Sequence, residues 1–534
     1  MLNYIWLALL FLGIATALTT DIIDESSNKY KNGEEIFVLI QSEDEIEKND
    51  KAQQITLKIT PQEFNKIYDE DIEDTLTHSA QISYNKKQQN YSLFLRVNEN
   101  TPAIWKEMAK VSGDEDDLSG KLKLTEKKEG YLVFEDISFA KMKEVTNAAL
   151  DYAGTAVNIA LGLIGIMALW LGIMKIAEDA GLIKIIANAV KPITRFLFPS
   201  VPHDHPAIGS IIMNISANML GLGNAATPFG LKAMEQLDEL NENKGTATNA
   251  MCMFLAVNTA GLTLIPATAI AIRAAAGSSD PTIIIGTSFF GALCATTVGV
   301  ISAKIFEAFS AKNVKFKEWL IKRKNSIIAI GIFTLAIVLL SVTNLLSSFF
   351  ASLDPEIFKS VIQVVSTIAI PFIIILFVTF GAVKKIKIYE VFVEGAKEGF
   401  QIAVRIIPYL VAMLVAIGIF RAGGGMFYLS ELVRPATDLI GMPPEALPMA
   451  FMRPLSGSGA LGIMAEIMSV HGADSFIGVL VSTIMGSTET TFYVIAVYFG
   501  AVNISRTRYA LTVGLLADLA GVLGALFIVK FLFS

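Results

Sequence analysis

A carboxylate lies within an apolar stretch near the C-terminal end, where residues 478–502 read GVLVSTIMGSTETTFYVIAVYFGAV. Because a charged side chain at mid-bilayer costs roughly 2.5–3.5 kcal/mol on insertion scales, Glu489 should face the protein interior and have a partner. With its hydroxyl neighbours it could coordinate a cation or hydrogen-bond a polar solute. The alternative is a structural carboxylate paired with Arg453 or a backbone nitrogen. The neighbouring hydroxyls are Ser487, Thr488, Thr490 and Thr491.

A glycine-rich piece, RPLSGSGALG, precedes this stretch. Glycines let a backbone turn and approach a ligand, so Ser456 and Ser458 are candidates to bind an anion or another polar group. Close helix packing through small residues is an equal alternative. Arg453 could pair with Glu466 or Glu489, or it could extend outward to the membrane surface.

A second polar set lies earlier in the chain, in PAIGSIIMNISANMLGLGNAATPFGL (206–231) and VNTAGLTL (257–264). The first piece has too many amides for a lipid-facing helix, which favours a pocket lining over structural hydrogen bonding. The second piece is the counterpart of the Glu489 patch and lacks its carboxylate, so any bound cation would be held asymmetrically. The candidate binding residues are Asn214, Ser216, Asn218, Asn224, Thr227, Asn258, Thr259 and Thr263.

The histidines and cysteines of the sequence give little support for a metal site or a redox function. The segment PHDHP offers His203, Asp204 and His205, but adjacent histidines of one loop rarely both bind one ion, so an interfacial cytoplasmic loop is the favoured interpretation. Cys252 and Cys294 lie in apolar runs and are predicted to be small buried side chains. The sequence therefore predicts neither a metal site nor a cofactor.

Catalytic motifs are not found either. The sequence contains no Gly-x-x-x-x-Gly-Lys, His-Glu-x-x-His or Gly-x-Ser-x-Gly motif, and the expectation is that the protein is not an enzyme. Asp518, in GLLADLAGVLG, is a secondary candidate that is expected to pair with a neighbouring helix.

The elements that position these residues are predicted to be membrane helices. The 534 residues are 53% hydrophobic and 17% charged, which is typical of a multi-span membrane protein. Residues 2–20 are uncharged, and the absence of a preceding Lys or Arg favours a retained helix over a cleaved signal peptide. Uncharged runs long enough to cross a bilayer cover 152–174, 245–272, 281–303, 325–353 and 360–383, and further spans centre near 400–420, 475–500 and 509–529.

Residues 21–146 have a different character. They contain 27 acidic and 17 basic residues, so the acidic excess of the chain belongs to this segment, and nothing suggests nucleic-acid binding. Short runs that alternate with a period of two, such as QITLKIT and YSLFLRV, predict a small β-rich domain with some helix around 61–77.

The helical part contains an internal repeat. NIALGLIGIMALWLG at Asn158 and VKPIT at 190–194 match QIAVRIIPYLVAMLV at Gln401 and VRPAT at 433–437 with one offset of 243 residues. Each copy continues into a Gly-rich piece, 206–231 or 444–468, that suits a re-entrant hairpin. Basic loops at 312–325 and 384–389 are predicted to be cytoplasmic, which inverts the second copy and puts 21–146 outside.

These motifs carry a family likeness. HPAIGSIIMNISANMLGLGNAATPFGLKAMEQL with FLAVNTAGLTLIPATAIAIR resembles spore maturation protein A, and RPLSGSGALGIMAEIM with STIMGSTETTFYVIAVYFGAV resembles spore maturation protein B. Both belong to the gate-domain, or nucleoside recognition domain, membrane proteins. The chain looks like a fusion of the two, which implies an integral membrane protein linked to spore or envelope maturation, with a transporter-like core. The resemblance names no substrate.

The predicted fold is an all-α polytopic membrane protein with two inverted repeats containing re-entrant hairpins, plus a small β-rich extracytoplasmic insertion. The predicted parts are an N-terminal transmembrane helix, the insertion, an A-like gate repeat, a basic loop with two linking helices, and a B-like gate repeat. Their boundaries are 1–20, 21–146, 147–310, 311–396 and 397–534.

The predicted function is movement of a small polar solute or cation across the cell membrane. The alternative is a scaffold whose outer domain recruits envelope proteins. The expected partners are the lipid bilayer and the solute, with a homo-oligomer or an envelope protein as further options.

Overall fold

The computed structural model describes most of the chain: residues 2–42, 46–68, 70–86, 89–112, 117–126, 128–202, 204–221, 223–310 and 355–533. The chain divides into two compact units. The helical unit comprises Met1–Trp6, Tyr152–Ile417 and Leu429–Ser534, and the second unit comprises Leu7–Asp151 and Gly418–Tyr428.

The second unit contains a closed antiparallel barrel, in which each strand pairs with the next and β1 pairs with β6. Inward and outward side chains alternate along the strands, as the period-two pattern predicts. The prediction of a small β-rich segment is confirmed. The strands are β1 (Ile36–Gln41), β2 (Gln53–Ile59), β3 (Leu76–Asn85), β4 (Asn90–Arg96), β5 (Asp117–Glu126) and β6 (Glu129–Phe134), with helices α2 (Pro61–Tyr68) and α3 (Ala103–Ser112).

An aromatic cluster fills one end of the barrel core. Trp105 of α3 is fully buried, and its ring lies 5.4 Å from that of Phe64 and 4.9 Å from that of Phe134. His78 is buried beside it, with the ring centroids 5.7 Å apart. Burial lowers the pKa of His78 below its ordinary value, because the charged imidazolium is poorly solvated there.

The two ends of the barrel segment are held together. The Asp21 carboxylate accepts hydrogen bonds from the backbone N–H groups of Lys141 (2.7 Å) and Met142 (2.9 Å). The Asn32 side chain exchanges two hydrogen bonds with the backbone of Ile137, at 2.8 and 2.9 Å. The chain therefore enters and leaves the barrel segment at one place, as is typical of an inserted domain.

Helices make up nearly all of the remaining described residues. Helix α1 (Leu2–Ser26) precedes the barrel and α4 (Ala140–Asp179) follows it. The next helices are α5 (Leu182–Leu197), α6 (Pro206–Met219), α7 (Gly223–Glu239), α8 (Asn249–Ala260), α9 (Ala267–Ala275) and α10 (Ile284–Ser310). After the gap come α11 (Pro355–Val383), α12 (Ile388–Ala422), α13 (Gly425–Ile440), α14 (Leu447–Leu455), α15 (Gly457–His471), α16 (Phe476–Ser487), α17 (Thr491–Ala501) and α18 (Ala510–Phe533).

Within the described residues, six stretches are long and apolar enough to span a bilayer: Asn3–Ser26, Ala140–Asp179, Ile284–Phe309, Ile388–Ala422, Phe476–Ala501 and Ala510–Phe533. The prediction of a multi-span, mostly helical membrane protein is confirmed. The span predicted at 325–353 and the basic loop at 312–325 lie outside the described residues. The expected single spans at 245–272 and 475–500 are each interrupted, as α8 and α9 and as α16 and α17.

The order of helices from α4 to α10 recurs from α12 to α18. The two Gly-rich pieces form two packed helix pairs, α6 with α7 and α14 with α15. The long helices α4 and α12 approach closely through small residues: a Cβ added at Gly399 would lie 2.5 Å from the carbonyl oxygen of Met167.

Candidate functional site

Two interrupted helices meet at their breaks. Helix α8 is capped at its C-terminal end by Gly261, which has a φ of +54°, and the chain passes Pro266 before α9 begins. Helix α16 is followed by the extended residue Thr488, and α17 begins at Thr491. The backbone N–H of Glu489 donates to the Thr259 carbonyl oxygen at 2.8 Å, so the two breaks are in direct contact. This contact brings together the two polar patches that the sequence analysis predicts to be counterparts.

Gly261 makes this approach possible. Its positive φ is a conformation that residues with a Cβ rarely adopt. A Cβ added there would lie 2.8 Å from Glu489 Cγ and 3.1 Å from the Glu489 backbone nitrogen. A glycine is therefore needed at this position both for the positive φ of the turn and for the close contact with Glu489.

Arg453 of α14 is held inside the site. It is 3% exposed, and its guanidinium donates to Thr490 Oγ1 at 3.2 Å and to the Thr488 carbonyl oxygen. Its Nη2 lies 3.5 Å from Glu489 Oε2. Of the alternatives open from the sequence, pairing with Glu489 is observed, and the burial rules out extension to the surface. The arginine stabilises the break by satisfying carbonyl and hydroxyl oxygens that α16 and α17 leave free.

Glu489 faces a cavity of about 140 Å³. Its side chain is 48% exposed although its neighbours are buried, so one carboxylate contacts both Arg453 and open space. The cavity is lined by Asn218, Gly221, Thr263, Ile265, Pro266, Ala267, Thr268, Ala269, Arg453, Met485, Gly486, Thr488 and Glu489.

The structure thus places five of the predicted site residues in one cavity wall: Glu489, Thr488, Arg453, Asn218 and Thr263. Three more support that wall from behind. Thr490 accepts the Arg453 hydrogen bond, Asn258 accepts one from Asn218 at 3.0 Å, and Thr259 accepts the Glu489 N–H. Thr268 and Met485 also line the cavity, but their apolar sequence surroundings carry no signal of it.

Other predicted residues make local hydrogen bonds instead. Ser216 and Ser487 donate to carbonyl groups four residues earlier in their own helices. Ser456 accepts from the Gly459 N–H as the cap of α15 and lies 3.4 Å from the Ser458 hydroxyl.

In the first copy, Asn214 donates to the Ala226 carbonyl oxygen at 2.9 Å and to the Tyr498 hydroxyl at 3.3 Å. Thr227 lies in α7, as does Asn224, whose side chain is outside the described residues.

The histidine loop has a structural role. His205 Nδ1 accepts from the Ala207 N–H at 3.2 Å and caps α6, while His203 lies outside the described residues. In the part of the chain that the structure describes, no three His, Cys, Asp or Glu side chains are grouped to hold a metal ion. Asp518 of α18 meets the neighbouring α17, where Thr491 Oγ1 donates to its Oδ2 at 2.5 Å.

A buried ion pair joins the two copies away from the cavity. Arg273 lies in the last turn of α9 and is fully buried. Its Nη2 lies 2.9 Å from Oδ1 of Asp474, in the loop before α16. The Asp474 carboxylate also accepts from Ser278 and from both the N–H and the hydroxyl of Ser279. We call these four residues the ionic closure; sequence reasoning missed it because it spans two loops about 200 residues apart.

A second closure joins the copies through the backbone. The Gly245 carbonyl oxygen accepts from the N–H groups of Ser505 (3.1 Å) and Arg506 (3.0 Å), and the Ala247 N–H donates to the Arg506 carbonyl oxygen at 3.0 Å. In each closure, a loop ahead of one copy's interrupted helix contacts the loop that follows the other copy's interrupted helix.

Fold and site together define a multi-pass membrane protein with two interrupted helices that meet at a polar cavity. The nucleoside recognition (Gate) family model matches residues 160–276 and 403–505. The chain is 51% identical over 174 residues to spore maturation protein B of Bacillus subtilis (strain 168), a match covering 33% of this chain and 98% of that protein. It is 46% identical over 168 residues to spore maturation protein A of the same organism, covering 32% of this chain and 84% of that protein.

The chain belongs to the Gate family, together with these spore maturation proteins. The family resemblance predicted from the sequence is confirmed. No solved structure matches the chain.

Proposed function

We propose that this protein moves a small polar solute or cation across the cell membrane, through the cavity where the two helix breaks meet. The single observation that carries this proposal is Glu489, a half-exposed carboxylate facing a cavity inside a helical membrane protein. An intramembrane ionisable residue that faces a cavity is a hallmark of a solute or ion pathway. Transport rather than catalysis is proposed, since the cavity wall offers no nucleophile paired with a base.

The proposed architecture is an inverted repeat, which fits this function. The two ranges matched by the family model begin at 160 and 403, the same 243-residue offset that the sequence motifs show. In this proposal the pairs α6–α7 and α14–α15 are re-entrant hairpins from opposite membrane faces. Secondary transporters commonly place their site where such repeats and broken helices meet, near the middle of the membrane.

The volume and charge of the cavity limit the size and charge of the solute that it can bind. At about 140 Å³ it is smaller than the roughly 300–1,000 Å³ of pockets for drug-sized ligands, which favours a compact solute over one of nucleoside size. The Arg453–Glu489 pair is neutral as a whole, but Glu489 is the exposed member. A neutral polar or cationic solute is therefore favoured over an anion.

The test is uptake into proteoliposomes of a panel of small amines, amides, amino acids, nucleosides and alkali cations. Glu489→Gln keeps the size of the side chain and removes its charge, so uptake of the transported compound should be lost in a folded protein. Glu431→Gln, in a pair on α13 whose side chains are 44% and 54% exposed, is the matched control and should transport normally. Undiminished uptake by Glu489→Gln would refute the site assignment.

The spore maturation relatives suggest that this transport serves spore or envelope maturation. A second candidate function is a membrane scaffold whose barrel recruits envelope proteins outside the cell. It is favoured by one observation, the independent core and joined ends of the barrel. Because Asn32 and Ile137 are directly hydrogen-bonded, a short linker can replace the residues between them. Loss of the maturation phenotype with uptake intact would favour the scaffold.

A further inference from the structure

We propose that Asp518 is the main ligand of a monovalent cation site beside the solute cavity. The site would hold a proton or an alkali metal ion. Asp518 lies on the membrane-spanning helix α18 and is 3% exposed. Its Oδ2 accepts the Thr491 hydroxyl, while its Oδ1 is buried with no hydrogen-bond partner. Among the described residues, no basic side chain forms an ion pair with it. An ionised carboxylate in that position would be unpaired and poorly solvated, which a bound cation or proton relieves.

A second unpartnered oxygen lies on the same side of α18. Thr488 is 2% exposed, and its Oγ1 is buried without a hydrogen-bond partner. Thr488 and Thr491 flank the break between α16 and α17, where backbone carbonyl groups are released from helical pairing. Transporters coordinate sodium ions or protons with the backbone carbonyls of unwound helix segments, and intramembrane carboxylates mark their ion and proton pathways. Threonine hydroxyls add further oxygen atoms that can accept or coordinate.

Two glycines of α18 leave space for Thr488 and Thr491 beside Asp518. Gly514 and Gly521 lie four residues before and three residues after Asp518, on the same face of the helix. A Cβ at Gly521 would lie 2.3 Å from Thr488 Cγ2, and one at Gly514 would lie 2.7 Å from Thr491 Cγ2. The glycines therefore leave room for both threonines against the helix, one on either side of the carboxylate.

The surroundings leave Asp518 without a fixed neutralising charge. Helix α18 packs mainly against α8, α10, α14, α16 and α17. The charged groups that act on Asp518 are Arg453 and Glu489, but the Arg453 guanidinium donates to the Thr488–Thr490 segment and is paired with Glu489. The other titratable groups of these helices are Cys252, Cys294, Lys304, Glu307, Tyr493 and Tyr498, and Lys304 pairs with Glu307 at 2.9 Å.

Occupancy of this site would couple to the cavity. Thr488 lines the cavity, Glu489 follows it directly, and Thr491 holds Asp518. A cation that draws Thr488 and Thr491 onto Asp518 fixes the segment that carries Glu489. This coupling rests on the transport proposed above, whereas the cation site does not.

The experiment measures the unfolding temperature of the purified full-length protein in NaCl, KCl and choline chloride of equal ionic strength, at acidic, neutral and alkaline pH. A rise that is specific for Na⁺ or K⁺ identifies an alkali metal ion. A fall in unfolding temperature with rising pH, without an alkali-ion effect, identifies a proton. Asp518→Asn should abolish the dependence of the unfolding temperature on the alkali ion or on pH. Thr488→Val should shift the ion concentration or the pH at which half of this change occurs. The control Asp438→Asn, an exposed residue of α13, should behave like the wild type.

A wild-type protein that responds to neither cation nor pH would overturn the cation site, as would an unchanged response in Asp518→Asn. Thr488→Val keeps the shape of the side chain, so it provides a second test if Asp518→Asn does not fold. Glu489→Gln separates the two proposals. It should lose solute uptake but keep the cation response. A wild-type protein with normal uptake and no cation response would leave the transport proposal standing and overturn only the cation site.

Discussion

The ionic closure should stabilise the contact between the two copies, and Asp474→Asn is the sharpest perturbation of it. The amide keeps the size of the carboxylate but removes its charge, so Arg273 loses its ion-pair partner. Arg273 keeps its hydrogen bonds to the Ala473 carbonyl oxygen (2.6 Å) and to Ser482 Oγ (3.1 Å). The amide nitrogen also replaces one oxygen that accepts from Ser278 or Ser279, so the change removes the charge together with part of that hydrogen bonding.

The expected magnitude follows from the burial of the two partners. Removing one partner of a fully buried pair costs about 3–5 kcal/mol. Here Arg273 is fully buried, but the Asp474 side chain is 43% exposed, so solvent screens part of the interaction. We expect Asp474→Asn to lower the free energy of unfolding by about 1.5–3 kcal/mol, the range of a charged hydrogen bond.

The assay is a double-mutant cycle with Arg273→Met, followed by equilibrium denaturation of the purified protein. The coupling energy between the two changes should fall in the same range, since both remove one interaction. The pair Lys387–Glu390, 77% and 65% exposed, is the matched control and should couple by less than about 1 kcal/mol. If the Arg273–Asp474 coupling were as small as that of the control, the closure would not hold the copies together.

Two further predictions concern the break and the barrel. Gly261→Ala should destabilise the helical unit by about 1–3 kcal/mol, because the added Cβ meets Glu489 at a positive φ. Gly277→Ala, also at positive φ but with open space around its Cβ, should cost less; equal losses in thermal unfolding would contradict a role for the contact. His78 should make the barrel less stable as the pH falls through 6.5, because the unfolded chain takes up a proton that the buried ring resists. His78→Gln should flatten that pH dependence in circular dichroism melts, and an unchanged slope would contradict it.

The sequence predicted most of the architecture because its signals are local. Uncharged runs mark spans, period-two alternation marks barrel strands, and glycine with proline marks the helix breaks and paired short helices. The carboxylate Glu489 was recognisable for the same reason, as a charge in an apolar run. The 243-residue offset between matching motifs predicts a relation between two copies, and this relation stays a prediction.

The composition of the site was less predictable, because hydrogen bonds inside a helix and across a cavity need the same residue types. Ser487 and Ser216 bond within their helices, whereas Asn218 and Thr488 reach the cavity wall. Nothing in the local sequence separates these cases, since the direction of a polar side chain depends on which helix packs beside it.

What the sequence alone determined is a multi-span membrane protein of the Gate family with an inserted β domain and one carboxylate at a helix break. Tertiary structure decided that Arg453 pairs with Glu489, that Arg273 meets Asp474, and that Asp518 lies beside Thr491. Each of these contacts joins different helices or loops. Hydrophobicity and backbone preference act over a few residues, so they can be predicted from the local sequence. The pairing of buried charges depends on distances between side chains that are set only when the helices pack.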